Sequence, residues 1–202
     1  MVQVLTRERL GVAKSPRRGL SHWRSQDPMA AAELVRRDVL GVGVCVPMVW
    51  FCNGLVVPVV TWDLESLDKR LSAGRGPVLY RSELADRLEH GRDHLEPAVL
   101  RIDAFITVGP LTAARGALAA VSGYAAAVAA VPRSPGAGGW DMFECDYYEF
   151  TVAEVDDTAA QTVVEGLRRA KHPSGGVPHQ RRLLEEQLFD VAVRTGATPR
   201  PA

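Results

Sequence analysis

The stretch Val39–Val60, VLGVGVCVPMVWFCNGLVVPVV, decides how the rest of the chain is read. It carries no charge, and Arg36 and Arg37 stand just before it. About 20 apolar residues suffice to cross a bilayer as a helix, so a single membrane span over 39–60 is one reading. Three features favour another. Asn53-Gly54 sits near the middle, and Asn-Gly between apolar runs marks a type I′ hairpin turn, whose central residues need positive φ. Pro47 and Pro58 would each remove a helical hydrogen bond. Valine dominates, and its branched Cβ favours strands. The stretch therefore predicts strands over Gly41–Cys52 and Leu55–Trp62 joined by a two-residue turn. Cys52 is expected opposite Leu55, Phe51 opposite Val56 and Trp50 opposite Val57. Both faces of that ribbon are apolar, and such a ribbon has to be covered on both sides.

On the N-terminal side, Arg7, Arg9, Lys14, Arg17, Arg18 and Arg24 face only Glu8 before Asp27. With little periodicity, residues 1–28 read as a flexible basic arm. A helix is expected over Met29–Leu40.

On the C-terminal side, Asp63 is a helix N-cap, Leu64, Leu67 and Leu71 follow at helical spacing, and Gly74 is the stop. A short strand is expected over Pro77–Tyr80, then a helix capped by Ser82 and ended by Gly91. Val99–Val108 alternates as a strand does. Leu100, Ile102, Ala104, Ile106 and Val108 take one face, and Arg101, Asp103 and Thr107 take the other. Thr112 opens the longest expected helix, to about Val131. Ala117–Val131 has no charge, and a helix that is apolar all round is buried. Trp140–Val155 reads as a strand whose apolar face changes parity at Tyr147-Tyr148, the mark of a β-bulge. A helix is expected from Asp157 or Thr158 to Lys171. A last helix starts at Pro178, buries Leu184, Leu188, Val191 and Ala192, and stops at Gly196.

The fold class this predicts is α+β. One domain over 29–196 holds a mixed or antiparallel sheet whose N-terminal β-hairpin packs on a central Ala-rich helix, with C-terminal helices. Residues 197–202 form a disordered tail.

The 24 basic and 24 acidic side chains cancel, so no global field attracts nucleic acid or an anionic membrane. Only three of the basic residues are lysines, and alanine is abundant, a composition typical of GC-rich bacterial coding. Cys45, Cys52 and Cys145 are odd in number and lie in apolar segments, which fits reduced cytoplasmic thiols. No apolar run follows the first basic residues, so no signal peptide is expected.

Chemistry is sparse. His90 and His94, spaced as two zinc ligands on a helix, could be joined by Glu144 or Asp146, but Gly91 interrupts the pair and no HExxH base is present. A solvated loop is the plainer reading. Glu144, Asp146 and Glu149 could hold a divalent cation, or simply keep a strand face soluble. Cys145 with His172 or His179 as base would make a thiol nucleophile, yet the flanking Glu144 and Asp146 raise a thiol's pKa. The glycine stretches lack the spacing of phosphate-binding loops. Arg17, Arg18, Trp23 and Arg24 could contact nucleic acid through phosphates and stacking. The leading expectation is a non-catalytic binding or assembly protein without a cofactor. It would self-associate as a homo-oligomer, or bind a protein partner, through Trp50, Phe51, Val56 and Val57 of the hairpin. The alternatives are a small metal-dependent or Cys/His hydrolase and a single-pass membrane protein spanning 39–60.

Overall fold

The computed structural model describes residues 10–12, 27–51, 54–89, 96–133, 139–167 and 178–199. The fold is α+β with a mixed sheet, and the chain divides into two compact units.

The first unit, within 11–61 and 102–175, holds the sheet. Helix α1 (Pro28–Val35) begins where the Asp27 carboxylate accepts the Met29 N–H at 3.0 Å, with Pro28 in the first turn. One π turn, Arg36–Leu40, follows and ends at Gly41, whose φ of 67° glycine adopts without strain. The apolar stretch then becomes strands rather than a span: β2 (Val44–Cys45), β3 (Val49–Phe51) and β4 (Gly54–Trp62). Ahead of these, β1 (Gly11–Val12) lies inside the segment expected as an arm and pairs antiparallel with β3.

The pairing of β3 with β4 differs from the expected register. Phe51 faces Gly54, Trp50 faces Leu55 and Val49 faces Val56, two residues short of the predicted partners. Gly54 is therefore already strand. Its lack of a side chain answers to packing: a Cβ there would lie 2.3 Å from Ala117 Cβ. Pro58 falls between the β3 and β2 ladders on β4, so its missing N–H costs no ladder bond, and its carbonyl accepts the Val46 N–H at 2.9 Å.

Strands β5 (Leu100–Val108), β6 (Ala126–Pro132) and β7 (Thr151–Val155) are parallel, and β8 (Ala160–Val164) closes antiparallel on β7. The order is β1-β3-β4-β5-β6-β7-β8, with β2 also on β4. Three sequence expectations fail in this region. The long helix over Thr112–Val131 is instead α4 (Leu111–Val121), capped from Pro110, followed by a turn and β6. Ala125–Val131 are all buried, and a central parallel strand covered on both faces is as uniformly apolar as a buried helix. The strand over Trp140–Val155 is instead α5 (Trp140–Tyr147) followed by β7. The parity change marks a helix end, not a bulge. Glu149 takes a left-handed φ of 60°, its N–H bonds Asp146 O at 3.0 Å, and the Phe150 N–H bonds Cys145 O at 2.8 Å. The helix expected after Asp157 is β8. The Asp156 carboxylate accepts the Thr158 and Ala159 N–H groups, both at 2.9 Å, and turns the chain back into the sheet.

Ala31, Ala32 and Val35 of α1 pack with Ala104, Ile106, Val128, Ala130, Ala153 and Val155 on one face of the sheet. Helices α4 and α5 pack on the other, α4 against β6 and α5 against β7 and β8. There Phe51 stacks on Phe105, centroids 6.0 Å apart, and meets Tyr124 edge-on at 5.9 Å.

The second unit comprises Leu10 and residues within 62–101 and 176–199. It contains α2 (Leu64–Ser72), α3 (Arg81–Glu89) and α6 (Pro178–Thr195), with α3 against α6. Asp63 caps α2 by accepting the Ser66 N–H at 3.0 Å. Leu67 is buried, while Leu64 and Leu71 are exposed. Pro77–Tyr80 pairs with no strand among the described residues. Leu184, Leu188, Val191 and Ala192 are buried in α6, and so are Arg182, Glu186 and Asp190. The second C-terminal helix expected at 158–171 is absent from the described residues. No helix of the described residues is long and apolar enough to cross a membrane.

Candidate functional site

Helix α5 is amphipathic in an inverted sense. Trp140, Phe143 and Tyr147, at helical spacing, point outward, and Cys145 on the opposite side is buried. Trp140 is 69% exposed, Phe143 56%, Tyr147 71% and the adjoining Tyr148 47%. The Trp140 and Phe143 rings lie 5.3 Å apart, and Tyr147 meets Tyr148 edge-on at 5.2 Å. Clustered large apolar side chains in water mark interaction surfaces, whereas isolated ones are ordinary.

The row is braced from below. Trp140 Nε1 donates to Glu144 Oε1 at 2.9 Å, and Arg115 of α4 donates to Glu144 Oε2. Asp141 lies 3.9 Å from the same guanidinium. Beside this pair opens a cleft of about 390 Å³ between α4 and α5, with Arg115, Glu144 and Tyr148 at its walls and Gly116, Ala119 and Phe150 among its lining. The small residues of α4 leave the space, and the stacked rings of Tyr148 and Phe150, 5.8 Å apart, shape one side. Cys145 also lines the cleft. Burial and the nearby Asp141 charge push its thiol up, so it is held protonated rather than activated. The proposed bases His172 and His179 lie outside the described side chains.

The other predicted site residues are dispersed. Val56 and Val57 are fully buried, Phe51 is half-buried, and Trp50 alone of the four hairpin candidates is largely exposed. The edge of β3 is occupied by β1. Glu144 and Asp146, two apart on a helix, diverge, with Glu144 engaged by Arg115 and Asp146 exposed. His90 and His94 lie outside the described residues, as do Arg17, Arg18, Trp23 and Arg24. Among the described residues no three His, Cys, Asp or Glu side chains gather to hold a metal.

No known family, curated protein or solved structure matches the chain.

The second unit carries a charge cluster that sequence reading missed. Glu186, 2% exposed, accepts from Arg70 at 2.8 and 3.0 Å, from Arg182 at 2.7 Å and from the Val78 N–H at 2.9 Å. Arg70, 3% exposed, also reaches Gly76 O at 2.6 Å and lies over the Phe189 ring at 5.0 Å. Its Nε sits 3.2 Å from Glu96 Oε2, close enough for attraction though outside hydrogen-bond geometry. The Arg75 guanidinium holds the Glu96 carboxyl below its ordinary range. A cleft of about 300 Å³ lies above, with Arg75, Tyr80, Glu83, Arg87 and Glu96 on its walls. Arg75 pairs with Glu96 and Arg87 with Glu83, so its cations are already matched by acids. That is an architecture of internal pairing. The signal in the sequence was the spacing Arg182–Glu186, one of three i, i+4 salt-bridge pairs on α6 beside Arg181–Glu185 and Asp190–Arg194.

Proposed function

We propose that this is a non-catalytic assembly protein that self-associates through the aromatic face of α5. The carrying observation is the outward row Trp140, Phe143 and Tyr147, joined by Tyr148, beside a cleft floored by small residues. Tyr and Trp are the residues that dominate protein interfaces, because they supply large contact area at low entropic cost. Each such side chain withdrawn from water contributes about 1.5–3 kcal/mol, so four supply the core of a modest interface. A surface with both a projecting ring and a recess can complement itself about a two-fold axis. The hairpin supports this role from inside, since its valines form core. The free thiols of Cys45 and Cys145 support a reducing compartment, such as the cytoplasm, as the place of work.

Light scattering at rising concentration tests the reading. The mass should climb above the 21.9 kDa of one chain, and the double variant Trp140→Ala/Tyr147→Ala should stay at it. A wild-type protein that is strictly monomeric contradicts self-association. So does a double variant that assembles as well as the parent.

A further inference from the structure

Resting on that reading of α5, we propose that what covers its aromatic face is the same face of a second copy, laid antiparallel across a two-fold axis that passes beside Phe143. Trp140 of each copy then meets Tyr147 of the other, and the two Phe143 rings meet at the axis. The spacing carries the assignment. Tyr147 follows Phe143 by four residues and Phe143 follows Trp140 by three, so the rings form one narrow stripe on the side of α5 away from buried Cys145. That is the spacing of a seam between two helices. Run backwards along a second α5, the stripe again presents ring, ring, ring, so it is its own complement.

The size and order of the face agree with this. The three rings and the half-exposed Tyr148 beside them offer about 500 Å² of free surface on one copy, taking about 150–250 Å² for each whole side chain. Two copies face to face withdraw about 1,000 Å² from water, the size at which a contact becomes specific. The rings are also held in place before any contact. Trp140 Nε1 donates to Glu144, Arg115 donates to the same carboxylate, and the Trp140 and Phe143 rings lie 5.3 Å apart. A surface already ordered loses little entropy on docking. Glu144 borders the stripe with its charge matched by Arg115. Antiparallel pairing also sets the negative end of each helix beside the positive end of the other. Because such a contact uses the same patch on both copies, it closes at two chains.

The experiment is light scattering of the full chain, joined to isotope-filtered NMR on a mixture of aromatic-labelled and unlabelled wild type. The expected mass is that of two chains at saturation. Interchain NOEs should link Trp140 to Tyr147 and Phe143 to Phe143. As a second measurement, Phe143→Cys should link to itself under mild oxidation above the background set by the native cysteines of the wild type. Trp140→Cys should link at least about tenfold faster when mixed with Tyr147→Cys than alone, because two Cβ atoms must come within about 4.5 Å to bridge. A dimer whose Trp140 NOEs run instead to Gly116 and Ala119 places the ring in the cleft of the other copy; it overturns the antiparallel pairing and leaves α5 as the docking surface. A mass that grows past two chains does the same. A strictly monomeric wild type, or a dimer with no interchain NOE at α5, overturns the pairing and the role of α5 together.

Discussion

The sheet unit packs around alanine and valine, whereas the unit of α2, α3 and α6 packs leucines and Phe189 around a buried charge cluster. In the first, β6 buries Ala126, Ala127, Val128, Ala129 and Ala130, and the glycine of β4 lets α4 approach until Ala117 fills the place of its side chain. In the second, Arg70, Arg182 and Glu186 are buried together, and the Glu186 carboxylate accepts from both guanidinium groups. Small apolar side chains give close layers that tolerate no added volume. A buried ion cluster tolerates added volume better than it tolerates the loss of one partner, because an unpaired charge keeps its full desolvation cost.

The largest expected effect is at Glu186. Glu186→Ala strands two guanidinium groups and should lower stability by about 3–5 kcal/mol in urea unfolding, the usual loss for breaking a buried pair. Replacing Arg70, Glu186 and Arg182 together by Met, Leu and Met should cost little or stabilise. A triple variant as weak as Glu186→Ala would show that packing, not charge, governs that core. Next is the sheet unit: Gly54→Val drives a side chain into Ala117 and should cost about 1–3 kcal/mol. Adding Ala117→Gly should return part of the loss, and independence of the two changes would deny the contact. Asp63→Ala removes the cap of α2 and should cost about 1 kcal/mol. The smallest effect is at Asp38. Its carboxylate accepts from Arg37 and from the Ala160 N–H, and these hold it at about 2, below its ordinary 3.8. A depressed carboxylate stabilises above its ordinary pKa and loses that contribution as pH falls through the folded value. The drop in melting temperature between pH 4 and pH 2 should therefore shrink in Asp38→Asn, and an unchanged drop would remove Asp38 from the account.

What the sequence made legible was the local chemistry of ends and stops. Asp63 as a cap, Pro178 in a first turn, and Gly74 and Gly196 as helix stops with φ of 66° and 70° all follow from one-residue rules. The α+β class and the strand character of Val49–Phe51 and Gly54–Trp62 were legible from valine, proline and Asn-Gly. Illegible was whether a uniformly apolar run is a buried helix or a buried parallel strand, because neither leaves a polar face to reveal its period. Ala126–Pro132 is such a run. The α5 face was hidden for the opposite reason. Its aromatics point to water, so a reading that sends Phe143 and Tyr147 inward assigns them to a strand. The same assumption placed the contact surface on Val56 and Val57, which the sheet consumes as core.

The most direct test of the account is acrylamide quenching of Trp140 in a chain whose Trp23, Trp50 and Trp62 are changed to Phe. The account predicts open quenching at low concentration and shielding as the protein associates, with the emission shifting to the blue. A Trp140 shielded at the lowest concentration would mean that the α5 face is not a free surface. A Trp140 equally open at every concentration would mean that nothing docks on it.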